Sequence, residues 1–170
     1  MSAATPLLSI SVGVVIERRK ADSKWVDFIW RPSGVLPGEP DLKPWTVLRE
    51  DAECAEFYIG GATMEFYRTE TAHYRDNLAS GTPGIWVVLS PSDGDHPYTI
   101  EAVTADPAEG EGFTEAATYL IEEVPMPEAI REAVEGFVRE HHVERQFQKR
   151  KRGRADLEAL ARRDQGKRDE

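Results

Sequence analysis

Cysteine is nearly absent from this chain: Cys54 stands alone among 170 residues. That excludes an intramolecular disulfide and every CxxC or cysteine-rich metal pattern. Such usage fits a reducing compartment, and the expectation is a cytoplasmic protein. Long apolar runs are missing too. The most apolar stretch near the start, residues 7–16, is too short to span a bilayer as a helix, so no membrane is expected as a partner. Its alternation argues against a signal-peptide core, as do the lack of a preceding cation and the direct passage into Glu17-Arg18-Arg19-Lys20, so a strand is expected instead. GxxxxGK[ST] and GxSxG patterns are absent, which removes the sequence marks of a P-loop and of a hydrolase nucleophile elbow. The glycines in "SGTPG" and "GEGF" belong to neither pattern, and no internal repeat is present.

What is there is mostly strand periodicity. Leu8, Ile10, Val12, Val14 and Ile16 alternate with smaller or polar residues, as a half-buried strand requires. "WVDFIW" follows a turn as an antiparallel partner, with Val26, Phe28 and Trp30 on one face. "RPSGVLPGEPDLKP" holds four prolines, so it reads as an ordered loop or edge-hugging segment and not a central strand. "CAEFYI" and "ATMEFYR" flank Gly60-Gly61, and two glycines between alternating runs predict a tight hairpin. Thr69 is the expected cap of a short helix that places Tyr74 and Leu78 one turn apart. "IWVVLS" is apolar on both faces and belongs in the middle of a sheet. Asp106-Pro107-Ala108-Glu109 has the form of a helix start, and Gly110 and Gly112 keep that helix short. The strongest helix begins near Pro127, where Ile130, Val134, Phe137, Val138 and His141 recur at helical spacing. The fold class is α+β: a mostly antiparallel sheet, barrel-like or sandwiched, packed by one C-terminal amphipathic helix. Residues 1–148 are expected to form one β-rich domain and residues 149–170 a basic, flexible tail.

Candidate chemistry is sparse. His141 and His142 are adjacent, so a helix points them about 100° apart and one metal ion cannot take both comfortably. Nothing in the sequence brings His73 and His96 together. Neither a metal site nor a cofactor is therefore expected. Cys54 lies beside Glu53 and Glu56, which would raise its pKa and suppress the thiolate, so no catalytic residue is assigned. Trp25, Trp30, Trp45 and Trp86 are possible pocket aromatics, although four such side chains equally suit a core.

Charge is the clearest clue. Residues 1–142 hold 25 acidic and 11 basic side chains, whereas residues 143–170 hold 6 acidic and 10 basic ones. An acidic body repels phosphate backbones, so nucleic acid is a disfavoured partner. Arg145, Phe147, Lys149, Arg150, Lys151 and Arg152 instead suit contact with an acidic protein surface, the chain's own or a partner's, with Phe147 anchoring the chain on the body.

"ISVGVVIERR", "WVDFIWRPSGVLPG", "EFYRTETAHYRDNLASGTPGIWVVL", "VPMPEAI" and "HHVERQFQKRKR" together resemble a proteobacterial family of unknown function. Its members are encoded beside molybdenum-dependent formate dehydrogenase genes. Some carry the label molybdopterin-guanine dinucleotide biosynthesis protein A, but the glycine-rich LAGGxSxRMGxxK-type opening of that guanylyltransferase is missing here. The resemblance implies an accessory protein, non-enzymatic, for assembly or maturation of a formate dehydrogenase. The alternative it leaves is an enzyme or ligand binder of molybdenum-cofactor biosynthesis. No catalytic residues are carried over by it.

Overall fold

The computed structural model describes residues 3–144. Seven strands lie in two antiparallel sheets: β1 (Leu8–Lys20), β2 (Phe28–Pro37), β3 (Thr46–Glu50) and β4 (Cys54–Phe66) in the order β2-β1-β4-β3, and β5 (Gly84–Pro91), β6 (Tyr98–Thr104) and β7 (Leu120–Pro125) in the order β6-β5-β7. Three helices complete it, α1 (Thr71–Ala79), α2 (Pro107–Gly112) and α3 (Glu128–His141). The expected α+β class with predominantly antiparallel sheet holds. The barrel does not close: β2 runs beside β7 and β4 beside β6, yet the strand pairs at these seams form no ladder. No helix among the described residues is long and apolar enough to cross a membrane.

β1 is the spine of the larger sheet, because its alternating valines and isoleucines supply one fully buried face in Val12, Val14 and Ile16. It pairs with β4 along its whole length, from Leu8 opposite Phe66 to Arg19 opposite Cys54. That continuous pairing overturns the expected hairpin at Gly60-Gly61. The register shifts between Val14 and Val15, and Gly60 takes φ +143°, so the glycines make a bulge within one long strand instead of a turn. A glycine pair permits either outcome, and a partner strand of equal length selects the bulge. The proline-rich segment is likewise partly strand. β2 continues through Pro32 to Pro37 at a sheet edge, with a register shift beside Pro32 that absorbs the missing donor. Val26 falls before β2 starts and is exposed.

β5 is central in the smaller sheet, as its two-faced apolar pattern requires, and Ile85, Val87, Val88 and Leu89 are fully buried. α3 lays Ile130, Val134 and Phe137 into the core as its periodicity predicts. Phe137 meets Phe66 of β4 and Tyr74 of α1 at ring centroid distances of 5.7 and 6.0 Å. Burial of each such side chain contributes ~1.5–3 kcal/mol before entropy is counted.

α1 is held from below by one side chain. Asn77 is buried; its Nδ2 donates to the Gly84 carbonyl (2.8 Å) and the Ala105 carbonyl (2.9 Å), and its Oδ1 accepts from the Gly84 N–H (3.0 Å). The helix is thereby tied to the start of β5 and to the chain leaving β6. α1 does not begin on Thr69, which lies inside a 3₁₀ turn, Arg68–Glu70, that feeds the helix. Its N-cap position is Glu70, which makes no side-chain capping bond. α2 starts as expected, with the Asp106 carboxylate accepting from the N–H groups of Ala108 and Glu109 and Pro107 in the first turn.

Asn77→Ala removes three buried hydrogen bonds at about 1 kcal/mol net each, so a loss on the order of 3 kcal/mol is expected in urea unfolding. A loss below ~1 kcal/mol would show that α1 is held by its apolar contacts instead.

Candidate functional site

The two helices that the core draws together, α1 and α3, leave a cleft of about 760 Å³ between the start of one and the end of the other. Arg68, Thr71, Arg75, His141, His142 and Glu144 are among its lining residues. α3 ends here because His142 leaves the helical region at ψ 126°, its N–H still bonded to the Val138 carbonyl. His141 tilts against Phe137 at 4.6 Å, which makes it the helix-end core residue expected from its spacing. The His142 ring is turned toward α1: Nδ1 lies 3.1 Å from Thr71 Oγ1 and Nε2 lies 2.9 Å from Arg75 Nη1. A guanidinium only donates, so this contact requires Nε2 to accept and Nδ1–H to point at Thr71. Arg75 also comes within 3.6 Å of Glu144. Two arginines and two histidines thus gather in one concavity on a body whose charge is otherwise mostly negative.

A second cluster occupies the adjoining face of α1. Glu70 and His73 are one turn apart, and Asp106 approaches from the start of α2. His73 Nδ1 lies 3.0 Å from Glu70 Oε2, 3.0 Å from Asp106 Oδ1 and 3.1 Å from Asp106 Oδ2. Its pKa is raised, first by the hydrogen bond to Asp106, against a smaller opposing effect of burial, with the negative charges of Asp106 and Glu70 adding to the rise. Behind it, Tyr74 is buried and its hydroxyl accepts from the Tyr67 N–H (3.1 Å). Burial pushes the Tyr74 hydroxyl up to about 12, so it stays protonated.

The four tryptophans do not converge. Trp30 and Trp45 meet edge to face at 6.0 Å, both beside Phe57, and Trp45 stacks on His96 at 4.4 Å. Trp45 sits at φ +70°, a conformation costing ~1–2 kcal/mol, held by its N–H bond to Tyr58 and by that stack. Trp25 stands in the β1–β2 connection with 93% of its surface exposed. Trp86 lies on β5 of the other sheet, where Gly110 packs against its ring so closely that a Cβ there would collide with it. Arg145, Phe147, Lys149, Arg150, Lys151 and Arg152, and the domain boundary at 148/149, lie outside the described residues.

Cys54 is half-buried on β4. Burial first, then Glu17 on the neighbouring strand, push its thiol up, the direction expected, but through Glu17 across the ladder and not the adjacent Glu53 and Glu56. Glu17 itself is buried and accepts from Arg19 Nε and Arg31 Nε, each at 3.2 Å. Burial pushes its carboxyl up, but the hydrogen bonds and charges of the two arginines outweigh that and leave it below the usual range.

These features define the class of protein: a two-sheet α+β domain carrying a cationic cleft between two helices. The chain belongs to the family described as "Protein of unknown function (DUF3305)", whose model matches residues 11–151. No curated protein and no solved structure matches it.

Because the folded Glu17 carboxyl ionises more readily than in the unfolded chain, its contribution is present above the ordinary glutamate pKa of about 4.3 and is lost as pH falls through the lower folded value. Glu17→Gln is therefore expected to cost stability at pH 7 and to cost less at pH 3, read from urea midpoints at both. A cost that grows on acidification would contradict this assignment.

Proposed function

We propose that this protein works by binding: it is a non-enzymatic accessory protein that docks on an acidic partner surface through the α1–α3 cleft and the basic segment that follows it in sequence. The observation that carries this reading is the placement of the cations. Arg68 and Arg75 line the cleft beside His141 and His142, and Glu144 at its edge is followed in sequence by Arg145, Lys149, Arg150, Lys151 and Arg152. The acidic remainder of residues 1–142 repels other acidic surfaces, so a negative partner is steered to this end of the molecule. The partner implied by the sequence resemblance is a subunit of a molybdenum-dependent formate dehydrogenase, with assembly or maturation of that enzyme as the setting. The contact is largely electrostatic and weakens as salt rises.

Affinity capture with the full chain is expected to retain formate dehydrogenase subunits. Deletion of residues 145–170, and separately the double reversal Arg68→Glu with Arg75→Glu, is expected to lower recovery several-fold. Equal recovery by all three chains would remove the docking role, and failure of the full chain to retain any subunit would remove the partner.

A further inference from the structure

The cluster on the other face of α1 has a feature that a salt bridge leaves unexplained. Three carboxylate oxygens lie within 3.1 Å of a single nitrogen, His73 Nδ1. That nitrogen carries at most one proton, so even a bond shared between the two Asp106 oxygens leaves none for Glu70. The other carboxylate is then held against the same atom with nothing between them. A protonated ring also leaves the group with one uncompensated negative charge, since Glu70 and Asp106 bring two. A dication between two carboxylates and a neutral imidazole removes both problems.

We propose that Glu70, His73 and Asp106 form a site for one divalent transition-metal cation, ligated by His73 Nδ1 and one oxygen from each carboxylate. One ligand atom from each of the three residues can be chosen so that all lie within 4.8 Å of one another. Metal–ligand bonds of about 2.0–2.2 Å place neighbouring ligands roughly 3.0–3.5 Å apart, close to the spacing found at His73. The i,i+3 separation of Glu70 and His73 puts both on one helical face. Asp106 is positioned from behind: its side chain is only 7% exposed, and Oδ1 accepts from the Ala108 and Glu109 amides while both carboxylate oxygens face the ring. The Glu70 and His73 side chains are 36% and 44% exposed, so an ion enters from solvent and coordination positions stay open to water. An imidazole with two carboxylates favours zinc, manganese or iron over calcium or magnesium, whose sites are built from oxygen alone. This site is independent of the docking reading and uses none of the cleft's cations.

Calorimetric titration of the tag-free full chain with Zn²⁺ tests it. The expected result is one equivalent bound at these residues, with affinity weakened at least ~10-fold in His73→Ala and in Glu70→Gln, since changes even in outer-shell partners commonly cost that much. Saturating Zn²⁺ raises the Tm of the native chain and of His142→Ala, and leaves that of His73→Ala unmoved. Glu70→Gln changes a half-buried side chain without altering its shape, so it decides the matter if His73→Ala fails to fold. No binding by the native chain would overturn the proposal. So would undiminished binding by Glu70→Gln, or loss of binding in His142→Ala with retention in His73→Ala.

Discussion

Asn77 is the constraint on which the arrangement of the helices depends. Its amide supplies two donors and one acceptor to backbone groups at the start of β5 and just beyond the end of β6. A buried amide satisfied on every side costs little, and the same amide left unsatisfied costs ~1–3 kcal/mol for each group. The position of α1 is therefore fixed by hydrogen-bond geometry as well as by packing. Apolar contacts alone leave a short helix free to slide along a sheet; three directional bonds at one residue do not. Tyr74, one turn earlier, adds the packing part by sitting between Phe66 and Phe137.

With α1 fixed, its two faces acquire different chemistry. One turns Thr71 and Arg75 toward the end of α3, where His142 links the helices by accepting from the guanidinium and donating to the hydroxyl. The other sets Glu70 and His73 against Asp106, whose position is dictated by its own work as the cap of α2. A cleft lined by arginines and a cluster with two carboxylates are thus both built on α1, and they share no residue. Both depend on the chain between β6 and α2 staying where Asn77 holds it, one residue before Asp106.

Much of the fold was legible in local pattern. The alternation in β1, the two-faced run in β5, the Asp-Pro start of α2 and the stripe of α3 each state a partner surface within a few residues, and each appears where expected. The misreadings share a cause. Gly60-Gly61 is a turn or a bulge depending on the strand alongside, and Pro32 sits in a strand because that strand is an edge with a register shift beside it. Those outcomes are settled by tertiary pairing. The site was less legible for the same reason. Glu70 and His73 are close in sequence, but Asp106 is 33 residues beyond His73, and only the path through β5 and β6 joins them. Asn77 gave a faint signal: an asparagine inside a short helical stretch is a poor helix former and commonly bonds to nearby backbone. The four tryptophans gave a misleading one, because residue type alone does not distinguish Trp45, stacked on His96, from Trp25, which faces solvent.

The proposed partner contact lies at the end of the molecule where α1 begins and α3 stops. Hydrogen–deuterium exchange on the captured complex measures this directly, against the free chain under the same conditions. The expected result is added protection confined to residues 68–75 and to the residues from 138 onward. Protection instead along the exposed apolar positions Trp25, Val26, Ile29, Val47 and Leu48, with the cleft unchanged, would contradict it.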